Sequence, residues 1–217
     1  MKRIYLVRHG ESEANMARSH GDHTTPLTET GKEQAAFMAQ RVSHLPIQKV
    51  IASSMVRAHQ TAEIIAAPSN LPVITSDLFV ESRGPSEFAT APYDDPKAIE
   101  AFTLIGENYG KPGFQLSDAE TFDDHTKRAQ AALEFLAGLE EEHILVVTHG
   151  MFLRILAAHI VFGPTPSSHE CQKFMRRLQV QNTGLTVFDY GIPDYIGRPI
   201  EFPWRLWIWN DHAHLAE

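Results

Sequence analysis

The sequence predicts an α/β fold: a three-layer α/β/α sandwich on a mainly parallel sheet, with a mostly helical or loop insertion at about 82–120. Three observations predict it. Short β-rich apolar runs alternate with segments whose apolar residues recur at helical spacing, the pattern that crossover connections produce. One run, Ile144-Leu145-Val146-Val147, is apolar throughout, as in a strand covered by helices on both faces. Pro85, Pro92, Pro96 and Pro112, with few periodic apolar residues between them, interrupt the alternation. At 217 residues, one domain spanning 1–217 is expected, long enough to bury a sizeable core.

Taken in order, Ile4-Tyr5-Leu6-Val7 is a short strand that ends in a polar, glycine-containing loop. Thr30-Gly31-Lys32-Glu33 has capping-box spacing, and Ala35, Ala36, Met38, Ala39 and Val42 continue it as a helix. Val50-Ile51-Ala52 is a second strand, leading to a helix with Met55, Ala58, Ala62 and Ile65 on its apolar face. Val73-Ile74-Thr75, bracketed by prolines, reads as a third strand. Within the insertion one helix is expected near 95–108. Ser117 to Glu120 reads as another capping box, opening a helix through Phe122, Ala129, Leu133, Leu136 and Leu139. A helix is expected from about Met151, then strands at Thr186-Val187-Phe188 and Leu206-Trp207-Ile208-Trp209. Trp204, Trp207 and Trp209 read as a strand-packing stripe of period two.

Composition narrows the function. The formal charge is −8, which argues against a broad nucleic-acid groove but not against a small basic pocket. A single cysteine, Cys171, excludes an internal disulfide and a cysteine-rich zinc site. The apolar stretch at the N-terminus stops at Arg8, and the stretch from Met151 to Phe162 is short of the roughly 20 residues a membrane span needs. A soluble, cytoplasmic protein without membrane or nucleic-acid partners is expected; the oligomeric state is not readable. Twelve histidines invite a metal reading. Yet His20-x-x-His23 beside Asp22, and His212-x-His214 beside Asp211, match no catalytic zinc spacing, so no metal is expected. His20 and His23 are candidates for substrate contact instead, and His59 is expected on a helix surface.

Placement is more informative than abundance. Val7 runs into Arg8-His9-Gly10, and Val147 into Thr148-His149-Gly150. Each apolar run delivers a histidine to a strand end, followed by a glycine that eases a sharp turn. In a parallel sheet the two ends can be neighbours, where catalytic groups gather in open α/β folds. A third strand end leads through Ser53 and Ser54 to Arg57, one turn into a helix. Arg8 and Arg57 together would offer planar donor forks to a phosphoryl group. Glu81 follows the third strand and could place a carboxyl over the pocket.

These residues carry a resemblance. Leu6-Val7-Arg8-His9-Gly10-Glu11-Ser12-Glu13-Ala14-Asn15 resembles the Arg-His-Gly signature of the histidine phosphatase superfamily, whose fold is phosphoglycerate-mutase-like. Pro26 to Gly31, Arg57-Ala58-His59-Gln60-Thr61-Ala62, Val147 to Gly150 and Gln181 to Gly184 resemble its later elements, in family order from residue 3 to about 190. The resemblance implies that His9 is the nucleophile and becomes a phosphohistidine, with Arg8, Arg57 and His149 around the phosphoryl oxygens. It implies that Asn15 and the Thr28 region add hydrogen bonds to phosphate or substrate. Glu81 would be the general acid for the leaving oxygen and then the base for water, a role that calls for a partly buried carboxyl.

Glu81 has competitors. Many relatives have a glycine four positions after this acid, whereas Gly84 is three after Glu81; Glu87 and, more weakly, Asp77 are the alternatives. The expected activity is that of a phosphoric monoester hydrolase using neither metal nor cofactor on a small phosphorylated substrate. A phosphoglycerate mutase is the runner-up, disfavoured because position 14 is Ala where mutases usually carry Trp. A phospholigand-binding domain without turnover is the reading from another class. Substrate choice is expected to rest with 82–120, which contains Lys111, and with the 20–25 loop.

Overall fold

The computed structural model describes residues 1–193, 197 and 201–215. Its elements run β1 (Lys2–Arg8), α1 (Glu13–Ala17), α2 (Glu29–Val42), β2 (Lys49–Ala52), α3 (Val56–Ala66), β3 (Val73–Thr75), α4 (Pro96–Asn108), α5 (Phe122–Gly138), β4 (His143–Thr148), α6 (Gly150–Phe162), α7 (Ser168–Arg177), β5 (Leu185–Tyr190) and β6 (Trp204–Asp211). The six strands form one sheet in the order β3-β2-β4-β1-β5-β6. The first four in that order are parallel, and β5 and β6 are added antiparallel at one edge.

Strand periodicity explains the layering. In β1, Ile4 and Leu6 point to one face and join α5 and α6, through Ala129, Leu133, Leu136, Phe152 and Leu156. Tyr5 and Val7 point to the other and meet α2 and α3, through Met38, Val42, Ala58, Ala62 and Ile65. Strand β4 divides in the same way, so Ile144 to Val147 are buried whichever way they face. Each such side chain contributes about 2 kcal/mol of burial. Ala58 and Ala62 let α3 lie close to the sheet, which brings its N-terminal turn to the strand ends.

Two helix starts differ from expectation. Helix α2 is capped by Thr28, whose Oγ1 accepts from the Gly31 amide at 3.0 Å, so Thr30 and Glu33 lie inside the helix. Helix α5 is capped by Thr121 in a reciprocal box with Asp124. The Ser117–Glu120 spacing is a coincidence: Ser117 has φ of 52°, and Glu120 is drawn into a buried ion pair instead. Local spacing permits either register; a buried partner selects one. Short α1 shows no periodicity in the sequence because five residues cannot display a helical stripe. Helix α7 is not among the expected elements; it opens at a Ser167–Glu170 capping box and packs on the core through Cys171, Phe174 and Met175.

The tryptophans do not form one stripe. Trp204 and Trp207 are three apart, and the β5–β6 register shifts on both sides of Val187. Trp204 is buried against Tyr190 and Trp209 meets Phe174 edge-on, whereas Trp207 is exposed. Among the described residues no helix is long and apolar enough to cross a membrane.

Candidate active site

Register brings the two histidines together. Arg8 pairs with Thr148, so the next residue on each strand is a histidine, and the His9 amide donates to the Thr148 carbonyl at 2.9 Å. The ring centroids of His9 and His149 are 5.1 Å apart. Gly10 is required for lack of space rather than for backbone freedom: a Cβ there would lie 2.4 Å from the Gly31 carbonyl oxygen. Helix α2 thus seats directly on the signature loop. Gly150 likewise leaves room for Arg8, whose Nε would be 3.3 Å from a Cβ.

His9 is buried, and its Nδ1 lies 2.7 Å from the Gly10 carbonyl oxygen. That bond requires the proton on Nδ1, which leaves Nε2 as an acceptor, and Arg57 Nε donates to it at 3.3 Å. Burial, then the charges of Arg8 and Arg57, hold the imidazole well below its ordinary value, so it is neutral. The Asn182 side chain donates to the His9 carbonyl at 2.9 Å and fixes the loop from behind. His149, with burial and then His9 as causes, is also held well below its ordinary value. Its Nε2 is 2.8 Å from Ser53 Oγ, while its buried Nδ1 has no hydrogen-bond partner. His149 lies behind His9 rather than on the wall of the cleft.

Arg57 is buried and Arg8 partly buried, and neither has a carboxylate within ion-pair distance among the described residues. Arg8 Nη1 donates to the Val180 carbonyl at 2.6 Å, and its buried Nε donates to nothing. Arg57 Nη1 donates to the Asp22 carbonyl at 2.7 Å. Burial disfavours both charges, and Glu81 is the first opposing charge that favours them. Two desolvated cations beside a neutral imidazole make a site built for an anion.

Glu81 is half-buried on the cleft wall. Its carboxylate accepts from the amides of Ser82 at 2.8 Å, Phe152 at 2.9 Å and Met151 at 3.2 Å, seated on the N-terminus of α6. It is anchored by amide donors rather than lodged in an apolar slot. Glu87 is exposed, bonded to Ser117 and off the cleft; Asp77 is exposed at the rim, bonded to Ser54. The geometry therefore favours Glu81 of the three. Asn15 lines the cleft, with its Oδ1 accepting from Ser12 and Asn182. Thr28 is not on the lining: its hydroxyl donates to Glu11 and accepts from the Gly31 amide at the α2 cap.

The remaining histidines disperse. His20 and His23 line the cleft, but His20 is stacked on Phe102 at 4.4 Å, and Asp22 accepts from Thr24 and Thr25. His59 sits on the surface of α3 beside Glu63. His212 contacts the Asn210 carbonyl; the side chain of His214 lies outside the described residues. No group of three His, Cys, Asp or Glu side chains able to hold a metal occurs among the described residues.

Sequence reasoning missed Arg128 and Glu120. Arg128 donates to the Val80 carbonyl at 2.7 Å, packs 3.9 Å over the Phe152 ring, and is gripped by both Glu120 oxygens at 2.8 and 2.7 Å. It thus holds the backbone that carries Glu81 and the residue whose amide binds its carboxylate. Nothing local marks these residues, because Glu120 precedes α5 and reaches Arg128 from outside the helix, not at a helical i,i+3 or i,i+4 spacing. Burial would raise the Glu120 carboxyl, but hydrogen bonds from His125 and Arg128, with the Arg128 charge, outweigh it and hold the group at about 2. The unfolded state therefore takes up this proton first as pH falls. The stabilisation is fully present above about pH 4.5 and is lost on descent towards pH 2, roughly 2–3 kcal/mol in all. Glu120→Gln should cost about 3 kcal/mol at pH 7 by stranding Arg128. It should also flatten the stability change between pH 5 and 3, measured by urea unfolding at each pH.

The cleft encloses about 1070 Å³. Its walls come from the strand ends, from the 19–23 loop and from residues of the 82–120 segment such as Arg83, Phe88 and Tyr93.

Comparison with known proteins agrees with this architecture. A protein named "Probable phosphoglycerate mutase GpmB" from Photorhabdus laumondii is 35% identical over 199 residues, covering 88% of this chain and 86% of that protein. Among solved structures, a mycobacterial glucosyl-3-phosphoglycerate phosphatase bound to VO3 superposes with a TM-score of 0.78 at 20% identity, covering 98% and 100% of the two chains. The α-ribazole phosphatase of Shigella flexneri gives 0.78 at 22%, covering 96% of each. The model of the Histidine phosphatase superfamily (branch 1) matches residues 4–193. The chain, with its two facing histidines and paired arginines, belongs to the histidine phosphatase superfamily.

Proposed function

We propose that the protein is a phosphoric monoester hydrolase that needs no metal and works through a phosphohistidine on His9. The observation that carries this reading is the pair of guanidinium groups, Arg57 buried and Arg8 partly buried, with no carboxylate in ion-pair distance among the described residues, beside a neutral imidazole whose Nδ1–H is tied to Gly10 and whose Nε2 accepts from Arg57 alone among them. In the first step Nε2 attacks phosphorus in line as the P–O ester bond breaks, and Glu81 supplies a proton to the leaving alkoxide. In the second step Glu81 takes a proton from water as it attacks the phosphohistidine, restoring the neutral imidazole. Arg8 and Arg57 stabilise the spread negative charge of the transferring group, the main source of catalysis in phosphoryl transfer. The unpartnered Nε of Arg8, on the cleft lining, is a donor in reserve for its oxygens.

Hydrolysis of p-nitrophenyl phosphate tests the proposal. Turnover should be unchanged by EDTA, and a labelled phosphoenzyme trapped by quenching should be acid-labile and alkali-stable. A chelator-sensitive rate, or a label that survives acid, would overturn it. A phosphoglycerate mutase is the second reading, favoured by the name of the 35% identical relative. Assay of 3-phosphoglycerate with and without 2,3-bisphosphoglycerate separates the two, since dominant isomerisation would establish the mutase. Absence of turnover on every ester, with phosphate still bound, would identify a phospholigand-binding domain.

A further inference from the structure

Resting on the phosphatase reading, we infer that the cleft selects phosphomonoesters of a bulky, apolar, uncharged alcohol and rejects small esters that carry a second anionic group. Size is the first ground: about 1070 Å³ is the scale of pockets that enclose drug-sized ligands, far beyond one phosphoryl group on a three-carbon acid. The wall opposite the strand ends is the second. His20 stacks on Phe102 at 4.4 Å and meets the edge of Tyr93 at 5.0 Å, with Phe88 and Leu78 also on the lining. Burial pushes the His20 imidazole down, so this wall is uncharged at neutral pH. It is also held in place. Ser19 bridges to Pro92, the His20 amide donates to the Ala91 carbonyl at 2.9 Å, and the Tyr93 amide to the Arg18 carbonyl at 2.9 Å.

Charge is the third ground. Once Arg8 and Arg57 hold the phosphoryl group, the cations left on the lining are Arg83 and Arg128. Glu120 occupies Arg128 through both oxygens and stands 3.6 Å from Arg83. Opposing them on the lining, besides the protonated general acid Glu81, are the carboxylates of Asp22, Asp77 and Asp118. A second anion on the substrate would meet an excess of negative charge in a partly desolvated cleft.

Three esters of primary alkanols separate the grounds while keeping leaving-group chemistry similar: 3-phenylpropyl phosphate, glycerol 3-phosphate and 3-phosphoglycerate. The expected order of kcat/KM is as written, with about tenfold or more between steps. The penalty on 3-phosphoglycerate should shrink in 0.5 M salt, while the gap between the other two persists. Tyr93→Ala, at a half-exposed position that the fold tolerates, should raise KM for 3-phenylpropyl phosphate about fivefold and leave glycerol 3-phosphate within twofold. His20→Ala should act in the same direction. A kcat/KM for 3-phosphoglycerate equal to or above that of 3-phenylpropyl phosphate would overturn the inference. So would equal effects of Tyr93→Ala and His20→Ala on all three esters. If p-nitrophenyl phosphate is not hydrolysed either, the phosphatase reading itself fails.

Discussion

His9→Ala is expected to lower kcat/KM for p-nitrophenyl phosphate by about 10⁴-fold or more and to abolish the trapped phosphoenzyme. No other side chain combines its features. Its Nδ1–H is tied to the Gly10 carbonyl at 2.7 Å, its Nε2 is left as an acceptor towards Arg57 on the cleft, and burial, with the charges of Arg8 and Arg57, keeps it deprotonated. His149 is no substitute, since it stands behind His9 and its Nε2 is engaged with Ser53. The variant should fold, because the bond lost from Nδ1 runs to a neighbouring carbonyl and the strand core is untouched. Circular dichroism and a melting temperature within a few degrees of the wild type would establish that. A phosphoenzyme that still forms in folded His9→Ala would remove His9 from the nucleophile's role.

Glu81→Gln should lower kcat by about 10²–10⁴-fold on alkyl phosphates, and much less on p-nitrophenyl phosphate, whose leaving group needs no proton. The split between substrates matters because Glu81 also caps α6 through the amides of Met151 and Phe152. A merely structural carboxylate would depress all substrates alike, so equal losses across leaving groups would overturn the acid role. Glu87→Gln is the companion experiment. Glu87 is exposed, bonded to Ser117 and off the cleft, so its loss should leave rates within about twofold.

Much of the site is legible because its parts end regular elements. Val7 and Val147 close apolar strands, and a residue just past the carboxyl end of a buried parallel strand stands at the functional edge of the sheet. Arg57 is legible for the same reason, and the structure places it as the second residue of α3. The α2 cap role of Thr28 is not legible, because which of Thr28 and Thr30 caps the helix is decided by the Gly31 amide and Glu11 around it. Ser117 and Thr30 mislead because capping spacing is common, and only a neighbour decides which copy is used. Ser53 carries no local mark of its role, since its partner His149 lies 96 positions away.

By itself, then, the sequence determined the alternation of strands and helices, the two His-Gly strand ends and the arginines beside them. These are encoded locally, in which residues avoid water and where that avoidance stops. Tertiary structure alone decided that Arg8 pairs with Thr148, so that His9 and His149 face each other, and that Glu81 rather than Glu87 lines the cleft with His9. It also set Arg128 and Glu120 behind Glu81 and the aromatic wall across the cleft. Those contacts join residues far apart along the chain. Strand register and the capture of a side chain by a distant amide are settled when whole elements pack, and no local spacing specifies that.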